Sequence, residues 1–281
     1  MYIFLFLLVF FLAGLSLIVN NFIIWWGVFL IMTLLFVMIN KMTLSYSSLF
    51  NYFIMQEVLG LMFLLLSVSL LQLLVVLIKV GVAPLHFWIF SVLNNVYGFN
   101  LMWFLTFQKL PFLVIMIQLM EFYVLILFVV GLMMCLVQML LLKSYKSLLI
   151  LSSTESFNWI ILGFLMSMFS VFLIFMYYFF LMLYLVPKFE NENFYSYVSW
   201  ETMLIFMNMP FSVNFFVKIF ALGESLVLMD FWFLLVLFLM FLSVLSLGFW
   251  MVNLSVKNFF TNKYNKFGFF MFLPMMFLVL L

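Results

Sequence analysis

The sequence predicts an all-α, polytopic membrane bundle of about eleven transmembrane helices, and three observations carry that expectation. Hydrophobic residues make up 71% of the 281 residues and charged residues only 6%, whereas soluble domains carry about 25% charge. The apolar runs are near-continuous over about 20 residues, the length of a membrane-crossing helix, and lack the alternation of a barrel strand. Finally, the loop lysines sort to one side of the resulting topology, as the positive-inside rule requires.

Divided at its polar clusters, the chain gives segments 2–19, 21–39, 46–66, 68–93, 99–120, 122–142, 146–168, 170–187, 199–221, 229–252 and 267–281. The third and fourth are separated only by the weak turn of Ser67 and Ser69, which demands a very tight hairpin. The nearest approach to a soluble insertion is the polar stretch from Lys188 to Tyr197. Residues 1–281 therefore read as a single transmembrane domain. The apolar start, Tyr2 to Val19, has no basic region before it and no transit-peptide character, so no cleavable targeting segment is expected.

Alternating the loops places Lys41, Lys143, Lys146, Lys188, Lys257, Lys263 and Lys266 on one side, with Glu121, Glu224 and Asp230 on the other. One miscounted segment would scramble that separation. It puts the N-terminus inside and the C-terminus outside. All ten basic residues are lysine, and Phe (44) and Met (25) are heavily used; this reads as the codon bias of a small organellar genome. Cys135 is the single cysteine, so neither an internal disulfide nor a cysteine-ligated iron–sulfur cluster is expected within this chain.

Three lysines remain inside the predicted spans: Lys79, Lys109 and Lys218. Each costs about 2.5–3.5 kcal/mol at a helix centre on the insertion scale, which makes an intramembrane lysine a functional candidate. Glu57 joins them near the middle of the third span. His86 is the chain's only histidine, the residue type whose unperturbed imidazole changes charge nearest physiological pH; it is a candidate relay group or a hydrogen-bond partner of nearby backbone. Two spans look broken, because Gly81 and Pro84 follow Lys79, and Pro210, flanked by Asn208 and Asn214, precedes Lys218. Proline removes a helix donor, and gaps at membrane depth persist only inside protein or beside a wet cavity. Paired broken helices are a transporter hallmark. Glu155, beside Ser152, Ser153 and Thr154, reads more as a structural group.

These stretches resemble the mitochondrially encoded chain 2 family of NADH–ubiquinone oxidoreductase, the antiporter-like membrane subunits of respiratory complex I. The family's Lys-Leu-Gly-x-Ala-Pro-x-His-Phe-Trp is matched by Lys79 to Trp88, with Val80 for the leucine. Its Thr-Trp-Gln-Lys-Leu is matched by Thr106-Phe107-Gln108-Lys109-Leu110. Ser152-Ser153 with Asn158-Trp159 fits its serine pair, and Asn208 to Lys218 keeps the proline and lysine of its last motif. The short length, Phe bias and missing arginine look nematode-like. The resemblance implies an antiporter-like fold lacking the first helices of the full-length family, in the mitochondrial inner membrane, with the N-terminus in the matrix and the C-terminus in the intermembrane space. It implies a subunit of the proton-translocating NADH:ubiquinone reductase with a relay of Lys79, Glu57, Lys109 and Lys218. Its expected partners are the other membrane-arm subunits, membrane lipids, protons and internal water, with no nucleic acid. No cofactor is expected in this chain; NADH, FMN, iron–sulfur clusters and ubiquinone would be bound by other subunits.

One departure stands out. The family has Trp-x-Gly-x-Glu in the second span, where that glutamate is taken to pair with the first lysine; here the stretch is Trp25-Trp26-Gly27-Val28-Phe29. Glu57, on the next span, is the expected replacement partner of Lys79. Two rival functions stay open on the sequence: a stand-alone cation/proton antiporter, against which the scarcity of acids speaks, and a structural subunit with vestigial channel residues.

Overall fold

The computed structural model describes residues 2–41, 43, 45–121, 124–142, 144–163, 168–190, 215, 218–219, 222–223 and 232–257. Among them the regular structure is helical throughout. The order is α1 (Tyr2–Ile18), α2 (Phe22–Asn40), α3 (Tyr46–Leu65), α4 (Ser69–Val80), α5 (Phe87–Leu93), α6 (Phe99–Leu105), α7 (Lys109–Leu119), α8 (Leu125–Leu141), α9 (Tyr145–Leu162), α10 (Met168–Glu190) and α11 (Trp232–Lys257). Three apolar stretches, Phe22–Asn40, Tyr46–Leu65 and Phe99–Leu119, are long enough to cross a bilayer, the last counting α6 and α7 together. The predicted ninth and eleventh spans lie almost wholly outside the described residues, and so does the Pro210 break.

The chain forms two compact units, Met1–Leu127 and Phe128–Leu281. In the first, α7 is the central helix. It packs on α1, α2 and α4, while α1 packs on α2, α2 on α3 and α3 on α4. The sequence of α7 explains this place: Leu110 to Met116 is apolar on every side and buried throughout, and a helix without a polar face belongs in a core. The outer surface is apolar as well. Phe4, Phe11, Ile23, Met38, Phe50 and Leu65 are exposed, while Lys79 and Lys109 are each only 3% exposed. Polar inside and apolar outside is the distribution a lipid solvent favours.

Local chemistry sets the helix ends. Asn21 caps α2 by accepting the Ile23 N–H at 3.0 Å, and Ser144 caps α9 by accepting from Ser147; each satisfies one otherwise orphaned N–H. The α3–α4 hairpin is as tight as its sequence requires, with Leu66 and Val68 extended. The Gln72 amide donates to the Leu66 carbonyl at 2.7 Å, supplying a partner at the end of α3. Glu121, which the topology places at an interface, accepts from the Ser69 hydroxyl at 2.5 Å. That puts an acid at the positive N-terminal end of α4.

The predicted fourth span runs as two helices. α4 stops at Val80 because Gly81 adopts a left-handed conformation, φ 72° and ψ 48°. The Val82 N–H bonds Leu77 O and the Gly81 N–H bonds Ile78 O, both at 3.0 Å, the paired bonds of a Schellman cap. The Trp88 indole donates to Ile78 O at 2.8 Å, so a further helix-end carbonyl acceptor is used. The fifth span also divides, which the sequence reading did not anticipate. Gln108 N bonds Trp103 O across a wide turn, then Lys109 and Leu110 bond back only three residues, to Thr106 and Phe107. Pro111 accounts for this interruption: its ring would clash with the Phe107 carbonyl in a continuous helix, yet it is tolerated within the first turn of a new one.

Candidate functional site

In the first unit the candidate residues lie on α3, at the end of α4, in the turn before α5 and at the start of α7. Lys79 lies in the last turn of α4 and is buried. Its Nζ sits 4.7 Å from the centre of the Phe29 ring, within cation–π range. Gly60 of α3 leaves the room it occupies, since a Cβ there would stand 3.3 Å from both Lys79 Nζ and Trp26 Nε1. The Trp26 Nε1 is buried without a hydrogen-bond partner, so an ammonium and an indole N–H converge on one spot. The Lys79 carbonyl, left over by the end of α4, accepts from Gln56 at 3.1 Å.

Glu57 is half-buried and near enough to Lys79 for the two charges to act on one another. The two do not form a direct ion pair, the one such contact among the described residues being Lys218–Glu155. Instead Glu57 Oε1 accepts from the Thr33 hydroxyl at 3.3 Å, which turns it towards α2 one helical turn beyond Phe29. Lys109 opens α7 directly after the interruption and is buried. Its neighbour Gln108 donates to the Tyr52 hydroxyl in a short contact. His86 is wholly buried before α5, with its ring 5.0 Å from Phe87 and 5.8 Å from Phe90. Gly81 and Pro84 shape the turn between Lys79 and His86, and Leu85 N closes it on Val82 O at 2.8 Å.

Tyr52, Gln56 and Gly60 carry this arrangement and were missed by the sequence reading. They recur every four residues with Ser48, so all of them fall on one buried face of α3. That spacing of polar and small residues in an apolar span was the available signal.

The second unit holds Lys218 separately. Its Nζ meets Glu155 Oε1 at 2.5 Å, with side-chain exposures of 5% and 2%. The Trp159 indole donates to the same oxygen at 3.3 Å, and its ring lies 5.6 Å from the ammonium. Both partners of this bond are ionisable, and a charge-assisted bond is stronger than a neutral one. Trp159 follows Glu155 by four residues, the spacing that stacks side chains on a helix. Next to them lies a cavity of about 20 Å³ lined by Ser156, Trp159, Ile160, Ile174, Tyr177, Tyr178 and Lys218, room for about one water molecule. Glu155, which the sequence reading leaned towards as a structural group, is thus the acid that pairs with the third candidate lysine. Ser152, Ser153 and Thr154 turn their hydroxyls to carbonyls three residues back in α9. No group of three or more metal-ligating side chains occurs among the described residues.

The chain is 52% identical over 277 residues to NADH-ubiquinone oxidoreductase chain 2 of Caenorhabditis elegans, covering 98% of each sequence. It is 48% identical over 254 residues to NADH-ubiquinone oxidoreductase chain 2 of Ascaris suum, covering 88% of this chain and 82% of that one. No protein-family model matches it.

Proposed function

The chain belongs to the NADH-ubiquinone oxidoreductase chain 2 family, and from that premise we propose that it is a proton-translocating membrane-arm subunit of respiratory complex I. It crosses the mitochondrial inner membrane about eleven times, with the N-terminus in the matrix and the C-terminus in the intermembrane space. Electrons pass through other subunits, which hold NADH, FMN, the iron–sulfur clusters and ubiquinone. This chain contributes proton movement and binds its membrane-arm neighbours, lipid and internal water.

The observation that carries the reading is the burial of lysines inside apolar helices: Lys79 and Lys109 are 3% exposed and Lys218 is 4% exposed. Lys79 and Lys109 also stand directly beside interruptions of their helices. A buried ammonium is disfavoured by desolvation and favoured by a nearby carboxylate, so a small movement of the partner switches the site between proton-loaded and empty. Lys79 with Glu57 is the first loading site, Lys109 the central relay and Lys218 with Glu155 the far station. His86 and internal water supply the intervening donors and acceptors.

Substituting Lys109→Met in the assembled complex tests this. Pumping coupled to NADH oxidation is expected to disappear while the complex still assembles. Full proton stoichiometry in that variant excludes Lys109 from the path.

A further inference from the structure

We infer that the face of the Phe29 ring is the seat that holds the Lys79 charge, which makes Phe29 a positioning residue for proton transfer at Lys79. The inference rests on the proton-path reading and deepens it at one station. An aromatic face stands beside Nζ: the ring centre is 4.7 Å away, whereas the Glu57 carboxylate is engaged by Thr33 at 3.3 Å and makes no direct ion pair. The electron-rich face of an aromatic ring attracts a cation, and more strongly away from water.

The ring is fixed in place to do this. Phe29 is wholly buried. Phe112 of α7 stacks nearly parallel to it, 5.0 Å between centres and 10° between planes. Phe63 of α3 meets it edge-on at 5.2 Å and 79°. Two further features make the seat specific. The absence of a side chain at Gly60 leaves space for Nζ, and the Trp26 indole edge bounds that space. Phe112 lies three residues from Lys109, on the same helix face, so the seat of one lysine is built partly by the helix of the next.

The test compares Phe29→Leu, Phe29→Tyr and Phe29→Glu with Lys79→Met in mitochondria that assemble the complex, reading the proton-to-electron ratio and the amount assembled on native gels. A packing role and a charge-holding role give opposite orders. Packing alone predicts that Leu is mild and Glu severe, because a carboxylate would be buried between Phe63 and Phe112 in place of a ring. The inference expects Phe29→Leu to assemble and lose pumping several-fold, Phe29→Tyr to keep it, and Phe29→Glu to assemble and keep it by supplying a counter-charge. Wild-type pumping in Phe29→Leu overturns the inference, and so does a Phe29→Glu chain that fails to assemble or to pump. If Phe29→Leu does not assemble, Phe29→Glu alone decides by the same rule. Lys79→Met pumping at the full ratio overturns the proton path through Lys79 and this inference together. Loss in Lys79→Met with retention in Phe29→Leu overturns the inference alone.

Discussion

Lys218 and Glu155 meet at 2.5 Å with both side chains almost wholly buried, so removing either leaves a buried charge without its counter-ion. Deleting one partner of such a pair costs about 3–5 kcal/mol, while replacing both by apolar residues of similar size is close to neutral. Glu155→Leu is therefore expected to lower the thermal stability of the solubilised complex strongly. The double variant Glu155→Leu with Lys218→Met should regain most of it and still not pump. Thermal melts of the three variants check this, and equal melting of the single and double variants would contradict it. Legibility differed from residue to residue. Lysines were legible because an intramembrane charge is costly wherever it points. Partners were not, because choosing between Phe29, Glu57 and Glu155 needs depth and rotation, and a sequence gives only span and order. The loss of an acid at Phe29 was visible; that the ring itself takes the ammonium was not.

At the scale of elements, the two interruptions in the first unit have separate causes and separate tests. Gly81 ends α4 in the left-handed region, and a Cβ there would fall 2.0 Å from Ile89 Cδ1. Strain of that backbone region alone costs about 1–3 kcal/mol, and the clash adds to it. Gly81→Ala should reduce the assembled amount on native gels, whereas Gly60→Ala, whose Cβ would meet its neighbours at 3.3 Å, should spare assembly more and act on pumping. Equal loss of assembly in both would contradict the distinction. The Gly81 break was readable because Gly-x-x-Pro is a local signal. The break before Lys109 was missed although Pro111 was in view, since a proline within the first turn of a helix looks the same whether a break precedes it or not. The stripe of Tyr52, Gln56 and Gly60 needed the burial of α3 to separate it from other polar residues in the same span.

Among the described residues the span lysines lie inside and the exposed side chains are largely Phe, Leu, Ile, Val and Met, so that surface offers lipids and subunits the same apolar face. Assembly is then the property that separates a complex subunit from a free antiporter. On a native gel the chain is expected to co-migrate with NADH-oxidising activity in a large assembly; migration as a free chain of 281 residues would support the antiporter instead. The fold class was legible at this scale because composition averages over every helix. The proposed relay drew on spacing alone, one lysine in each of three predicted spans. The most direct measurement of the central claim is an experimental map of ordered internal water in the intact complex. The account expects hydrogen-bonded water or polar side chains, with steps of about 3 Å, forming an unbroken path through Lys79, Lys109 and Lys218. A dry apolar barrier between any two of these lysines, present in every state of the complex, would contradict it.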